Sequence, residues 1–290
     1  MKYDIYNADC LEQMKSIPDG SVDMVLCDLP YECLATNNPD AQWDRMIPFE
    51  PLWAHYLRVC KRNAAIVLFA QGMFTARLMM SKPDLWRYNL IWDKMRVSGF
   101  LNAKRMPLRS HEDICVFYRE LPTYNVQLED LKEGQEDNHA RGTGKHKDTN
   151  RAYGNFANTD GGCSGVKGKK FPRSILSFQR PFPTEKGHPT EKSVELCEWL
   201  IRTYTNEGET VLDNTMGSGT TGVACVRTNR NFIGIEKDAH WFGTAELRLR
   251  RAKETGVQQT FDLFGDDGGK DPAEEILQDP PCKCQRFMIQ

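Results

Sequence analysis

The chain has 290 residues, 40% of them hydrophobic and 27% charged, enough to bury a large core without disulfide or metal staples. That composition excludes a largely disordered chain, and 22 glycines and 15 prolines with no repeat of fixed period exclude collagen-like, solenoid and propeller architectures. A formal net charge of -2 says nothing of partners until its distribution is read along the chain.

The start, Met1 to Asp9, has no basic segment followed by an apolar core, and no apolar run reaches membrane-spanning length. A cytoplasmic protein with no membrane partner is expected. The ten cysteines are scattered and read as reduced core thiols, and the pair Cys282 and Cys284 has no second pair or histidine cluster to complete a metal site, so no metal is expected.

Val22 to Asp28 reads as a buried strand, and Phe49, Leu52, Trp53, Tyr56, Leu57 and Cys60 follow at helical spacing. Ala64 to Ala70, Tyr88 to Asp93 and Asp113 to Tyr118 are further strands. From Pro122 to about Phe182 the pattern gives way to polar, glycine-rich sequence, an inserted lobe or long loops. It holds eight basic residues (Arg141, Lys145, Lys147, Arg151, Lys167, Lys169, Lys170, Arg173) against Asp148 and Asp160 between positions 141 and 173, so positive charge is concentrated there. Periodicity returns with a helix capped at Thr190 and striped by Val194, Cys197, Ile201 and Tyr204. Val211 to Asp213 predicts a short strand, Gly219 to Thr228 a helix, Phe232 to Glu236 a strand and Ala239 to about Lys253 a closing helix, with 256–290 as a tail. Alternating strands and helices predict an α/β fold with a mostly parallel sheet flanked by helices. The division expected is 1–121 and 183–255 as two halves of one domain, 122–182 as an insertion, and 256–290 outside.

Gly217, Gly219 and Gly222 satisfy G-x-G-x-x-G between a strand and a helix, and Glu236 ends the next strand where a dinucleotide fold keeps its ribose-binding carboxylate. A nicotinamide-dependent oxidoreductase is the first reading. Asp213, four residues before the first turn glycine, argues against it, because its charge would face a pyrophosphate docked on the helix N-terminus. S-adenosylmethionine has no phosphate, carries an amino group and a sulfonium suited to a carboxylate, and offers ribose hydroxyls to Glu236. The same glycines also fit a plain strand-to-helix turn that packs tightly.

Asp28-Leu29-Pro30-Tyr31 follows the first buried strand, at the sheet edge where open α/β folds bind ligands. An acidic acceptor, a stiffened turn with a free carbonyl and an aromatic face suit a planar base bearing an exocyclic amine. A bare Asp-x-Pro turn with a core tyrosine is the bland reading.

Together the two motifs resemble the amino-group DNA methyltransferases of bacteria and phages, in the permuted β-group order with the tetrapeptide ahead of the cofactor turn. That family's tetrapeptide is usually Asp-Pro-Pro-Tyr, and Leu29 stands for its first proline. His188 to Ser193 is similar to the segment ahead of the cofactor turn, Asp213 to Thr221 to the turn itself with Asn214 and Thr215 for its proline and phenylalanine, and Phe232 to Glu236 to the ribose-carboxylate strand. His111-Glu112 and Phe171 to Ile175 resemble the flanks of its recognition region. The match covers most of residues 1–250.

The resemblance implies a Rossmann-like, S-adenosylmethionine-dependent methyltransferase fold with an inserted target-recognition lobe, of restriction-modification type. It implies methyl transfer to N6 of an adenine flipped from double-stranded DNA, with Asp28, Leu29, Pro30 and Tyr31 catalytic. The donor falls to Asp213, Met216, Gly217, Ser218, Gly219, Thr220, Thr221 and Glu236, with Thr190 and Lys192 at its carboxylate end. Asp9 faces the donor's adenine, or simply caps a helix. The eight basic residues above are expected to bind DNA, and Lys94 lies near DNA or the substrate pocket. N4-cytosine transfer, a non-catalytic DNA-binding module and the oxidoreductase remain as alternatives, and a homodimer is left open.

Overall fold

In the strand Val22–Asp28, Met24 and Leu26 face one side of the sheet, Val25 and Cys27 the other, and all four are fully buried. A strand buried on both faces needs helices above and below. The computed structural model describes residues 1–32, 44–131, 167–181 and 191–262, without the side chains of 256–262.

The elements are β1 (Tyr3–Asn7), α1 (Cys10–Gln13), β2 (Val22–Asp28), α2 (Phe49–Val59), β3 (Cys60–Ala70), α3 (Met73–Ser81), β4 (Trp86–Ser98) and β5 (Arg109–Phe117). They continue as β6 (Glu129–Asp130), β7 (Lys169–Lys170), β8 (Ile175–Ser177), α4 (Val194–Tyr204), β9 (Thr210–Asp213), α5 (Thr220–Arg227), β10 (Asn231–Glu236) and α6 (Ala239–Asp262). Eight strands form one sheet in the order β1-β10-β9-β2-β3-β5-β4-β8. The first five are parallel, β5 runs antiparallel between β3 and β4, and β8 lies parallel to β4. Helices α1 to α3 pack on one face and α4 to α6 on the other. This is the doubly covered α/β architecture that the alternating pattern predicts, and no helix among the described residues is long and apolar enough to cross a membrane.

Several bounds differ from expectation. Helix α4 starts at Val194, with Ser193 as its cap accepting from the Leu196 N–H at 3.3 Å, so the cap is not Thr190, which lies outside the described residues. Ser193 directly precedes the first buried turn, where a side-chain oxygen can reach an unpaired N–H. Helix α6 continues to Asp262, past the expected end near Lys253. Strand β8, inside the segment expected to be an insertion, is an edge strand of the main sheet, while β6 and β7 pair only with each other.

Strands β2 and β9 are neighbours, yet the chain leaves β2 toward β3 and β9 toward β10. Their crossovers diverge, and a crevice opens at the two carboxyl ends. Asp28 ends one strand and Asp213 the other.

Candidate active site

A cleft of about 940 Å³ occupies that crevice. Asp28, Leu29, Pro30 and Tyr31 line it together with Asp213, Met216, Gly217, Ser218, Thr220, Thr221, Glu236, Asp9 and Lys192. The two motifs, about two hundred residues apart in sequence, share one cavity. Gly219 does not line it. At φ +81° it turns the chain into α5, and a Cβ there would lie 2.9 Å from the Ala245 Cβ of α6. Thr190 falls outside the described residues.

Burial sets the electrostatics of the turn. Asp213 is 3% exposed and is lifted to about 7, chiefly by loss of water, although the Thr215 N–H donates to it at 3.1 Å. Glu236 is also pushed up by burial, while N–H groups of Gly217 (2.9 Å) and Asp238 (2.8 Å) fix one oxygen each. Burial alone would raise Asp9 too, but the Lys237 ammonium at 3.2 Å and the Leu11 N–H at 3.0 Å reverse it, and Asp9 is held below the usual carboxylate range. Asp9 thus both caps α1 and faces the cleft. Arg248 of α6 ties the turn down from behind, donating to the Ser218 carbonyl at 2.9 Å and pairing with Glu191.

The tetrapeptide is bound to this turn. The Thr215 hydroxyl donates to the Asp28 carbonyl at 3.0 Å, and Asn214 Oδ1 accepts from the Tyr56 hydroxyl at 2.6 Å. These are the two positions at which the turn departs from the usual proline and phenylalanine. Asp28 Oδ1 accepts from the Tyr31 hydroxyl at 2.5 Å, and the Tyr31 ring stacks on Phe74 with centroids 4.7 Å apart. Leu29 is buried, its side chain in the core.

Asp28 Oδ2 is 2.5 Å from Lys192 Nζ, and the same ammonium lies 3.3 Å from Glu112. Glu112 is also 3.3 Å from Lys94. Burial pushes Asp28 up, against the pull of Lys192. Burial would lower Lys192, and the two carboxylates overcome it, so Lys192 is held protonated. Glu112 is kept low by the two lysines despite burial. Lys192, expected at the donor's carboxylate end, lines the cleft and makes its contacts with Asp28 and Glu112. It sits against Asp28. Glu112 of β5 and Lys94 of β4 enter the site as its partners; the sequence placed Lys94 near DNA or the substrate pocket and Glu112 at a flank of the recognition region, with no sign of their pairing.

Of the basic residues expected to meet DNA, Arg141, Lys145, Lys147 and Arg151 lie outside the described residues. Lys167 and Arg173 are exposed. Lys169 and Lys170 pair with Asp130 (2.5 Å) and Glu129 (3.1 Å) across the β6–β7 ladder.

Comparison with known proteins decides the family. The model of the DNA methylase family N6_N4_Mtase matches residues 22–246. The chain belongs to this family. Among its relatives, the Type II methyltransferase M.HinfI of Haemophilus influenzae is 25% identical over 281 residues, covering 86% of this methylase and 68% of the relative. M.HpaI of Haemophilus parainfluenzae is 23% identical, covering 83% and 72%. Among solved structures, the M1.HpyAVI–SAM complex is 26% identical with a TM-score of 0.56, covering 85% of the methylase and 98% of that chain. The cytosine-N4-specific PvuII DNA methyltransferase shares the fold at 14% identity and a TM-score of 0.59, covering 90% and 92%.

Proposed function

We propose that this DNA methylase transfers the methyl group of S-adenosylmethionine to N6 of an adenine extruded from duplex DNA. The observation that carries the reading is the single cleft shared by Asp28 and Tyr31 with the turn 213–218 and Glu236. When bound, S-adenosylmethionine supplies an electrophilic methyl on a cationic sulfur.

The residues suit such a ligand. Asp213 is a buried carboxylate with a raised pKa, which a cationic group brought beside it would let ionise. Glu236 already has an N–H on each oxygen, so its carboxylate is aimed before a ribose hydroxyl arrives. A pyrophosphate in the same place would meet Asp213 and Glu236 together, which disfavours a nicotinamide dinucleotide.

On the substrate side, Asp28 accepts one N6 hydrogen and the Leu29 carbonyl the other, while the Tyr31 ring, backed by Phe74, offers the stacking plane. The amine takes over contacts that Tyr31 and Lys192 hold in the free site. Because Lys192 keeps the neighbouring field positive, Asp28 acts as an ionised acceptor that orients the nitrogen lone pair rather than as a strong base. Burial holds the thiols of Cys10, at the cleft, and Cys27, beside Asp28, protonated, which favours direct transfer over a covalent route. Target recognition is assigned to residues 122–182, with Lys167 and Arg173 exposed at its end.

Incubation with tritiated donor and duplex DNA, followed by digestion to nucleosides, tests the reading. Label in N6-methyladenine is expected. Label in N4-methylcytosine overturns the base assignment, and calorimetric binding of NAD in preference to S-adenosylmethionine overturns the cofactor.

A further inference from the structure

The β4–β5 hairpin carries Arg96 and Arg109 on its strands and Lys104 and Arg105 on the loop between them, with no acidic residue from 95 to 110. It also carries exposed apolar side chains. Phe100 is 67% exposed and Leu101 102%, with Met106 at 53%. The stem closes at the Ser98–Arg109 pair, and both of these residues line the cleft.

The tip has a defined shape. Gly99, at φ +91°, turns the chain into a short 3-10 segment, Phe100–Asn102, closed by bonds from the Ala103 N–H to the Phe100 carbonyl (3.1 Å) and from the Met106 N–H to the Asn102 carbonyl (3.0 Å). Apolar side chains held out on a structured tip mark a surface built to meet something. Cations without one acid between them say that the partner is anionic. Apolar wedges flanked by cations are what proteins push between base steps while holding the adjoining phosphates.

We propose that residues 95–109 form a DNA-entering loop: Phe100 and Leu101 fill the gap left in the stack by the extruded base, and Lys104 and Arg105 hold the flanking phosphates. The proposal rests on the base-flipping methylase reading and adds to it a second DNA element, separate from residues 122–182. Extrusion leaves a void whose unstacking cost the apolar tip offsets, and the loop stands on the rim of the cleft that receives the base.

The test uses the full-length enzyme and a target sequence mapped from DNA methylated in cells that express it. Methylation is measured on the duplex and on the same target as a single strand, and 2-aminopurine at the target position reports extrusion. For the F100A/L101A variant, duplex turnover should fall by at least about 10-fold and the fluorescence rise should be lost, while the single strand, with no stack to open, is methylated within about 2-fold of wild type. For K104A/R105A the slope of log affinity against log salt should become shallower by about 0.9 for each lysine or arginine removed. Unchanged duplex turnover, an equal fall on both substrates, or an unchanged salt slope overturns the loop assignment. A wild-type enzyme that methylates neither substrate overturns the methylase reading instead.

Discussion

Asp213 sits in the cleft beside two further carboxylates, Asp28 and Glu236, both of which push it up. Its pKa of about 7 when folded, against 3.8 in the open chain, means that the folded protein binds the extra proton between those values. Stability of the free protein should therefore fall as pH rises from about 4 through about 7. Asp213→Asn should recover on the order of 2 kcal/mol at about pH 8 and nothing at about pH 4, as read by urea unfolding. For a cationic ligand the sign reverses. Donor affinity should rise as pH passes through about 7 and level off above it, measured by calorimetry, and the Asn variant should lose that rise. At Asp28 the test is Lys192→Met. Without the ammonium its carboxyl titrates higher, so the acid limb of the kcat/KM profile should move to higher pH, while Lys192→Arg keeps it in place. Asp28→Ala should lower kcat by about 100-fold or more with donor affinity intact, measured as single-turnover methyl transfer.

Among the elements, the turn between β9 and α5 depends on how closely α6 approaches it. Gly219 combines a positive φ with a Cβ position 2.9 Å from the Ala245 Cβ. Gly219→Ala should cost about 2 kcal/mol in urea unfolding, and adding Ala245→Gly should recover the steric part but not the backbone part. The same turn reaches the tetrapeptide through the Thr215 hydroxyl. Neither contact could be read locally, since α6 and Asp28 are remote in sequence from the turn. The order of strands and helices was legible, because strands covered on both faces appear as unbroken apolar runs. Their ends were less so: β4 runs on to Ser98 and β5 begins at Arg109, both in polar sequence where cross-strand pairing rather than burial holds the strand. Strand β1, with polar and exposed positions along the sheet edge, left no such run to find.

At the scale of the molecule, charge is arranged unevenly around a nearly neutral whole. Lys169 and Lys170, read from the sequence as phosphate ligands, already face Asp130 and Glu129. Their replacement by alanine should change DNA affinity less than replacement of Arg173, which is exposed, when both are titrated at one salt concentration. The sequence by itself determined the order of strands and helices and set out the glycine turn and the tetrapeptide proposed to hold donor and amine, because each is a contiguous run whose residue types carry its chemistry. Only the tertiary structure brought Lys192 against Asp28 and Glu112, Lys94 against Glu112, and Arg248 against the turn. The reason is physical: a buried charge is defined by the partners that compensate it, and here those partners come from strands and helices that meet only when the sheet closes.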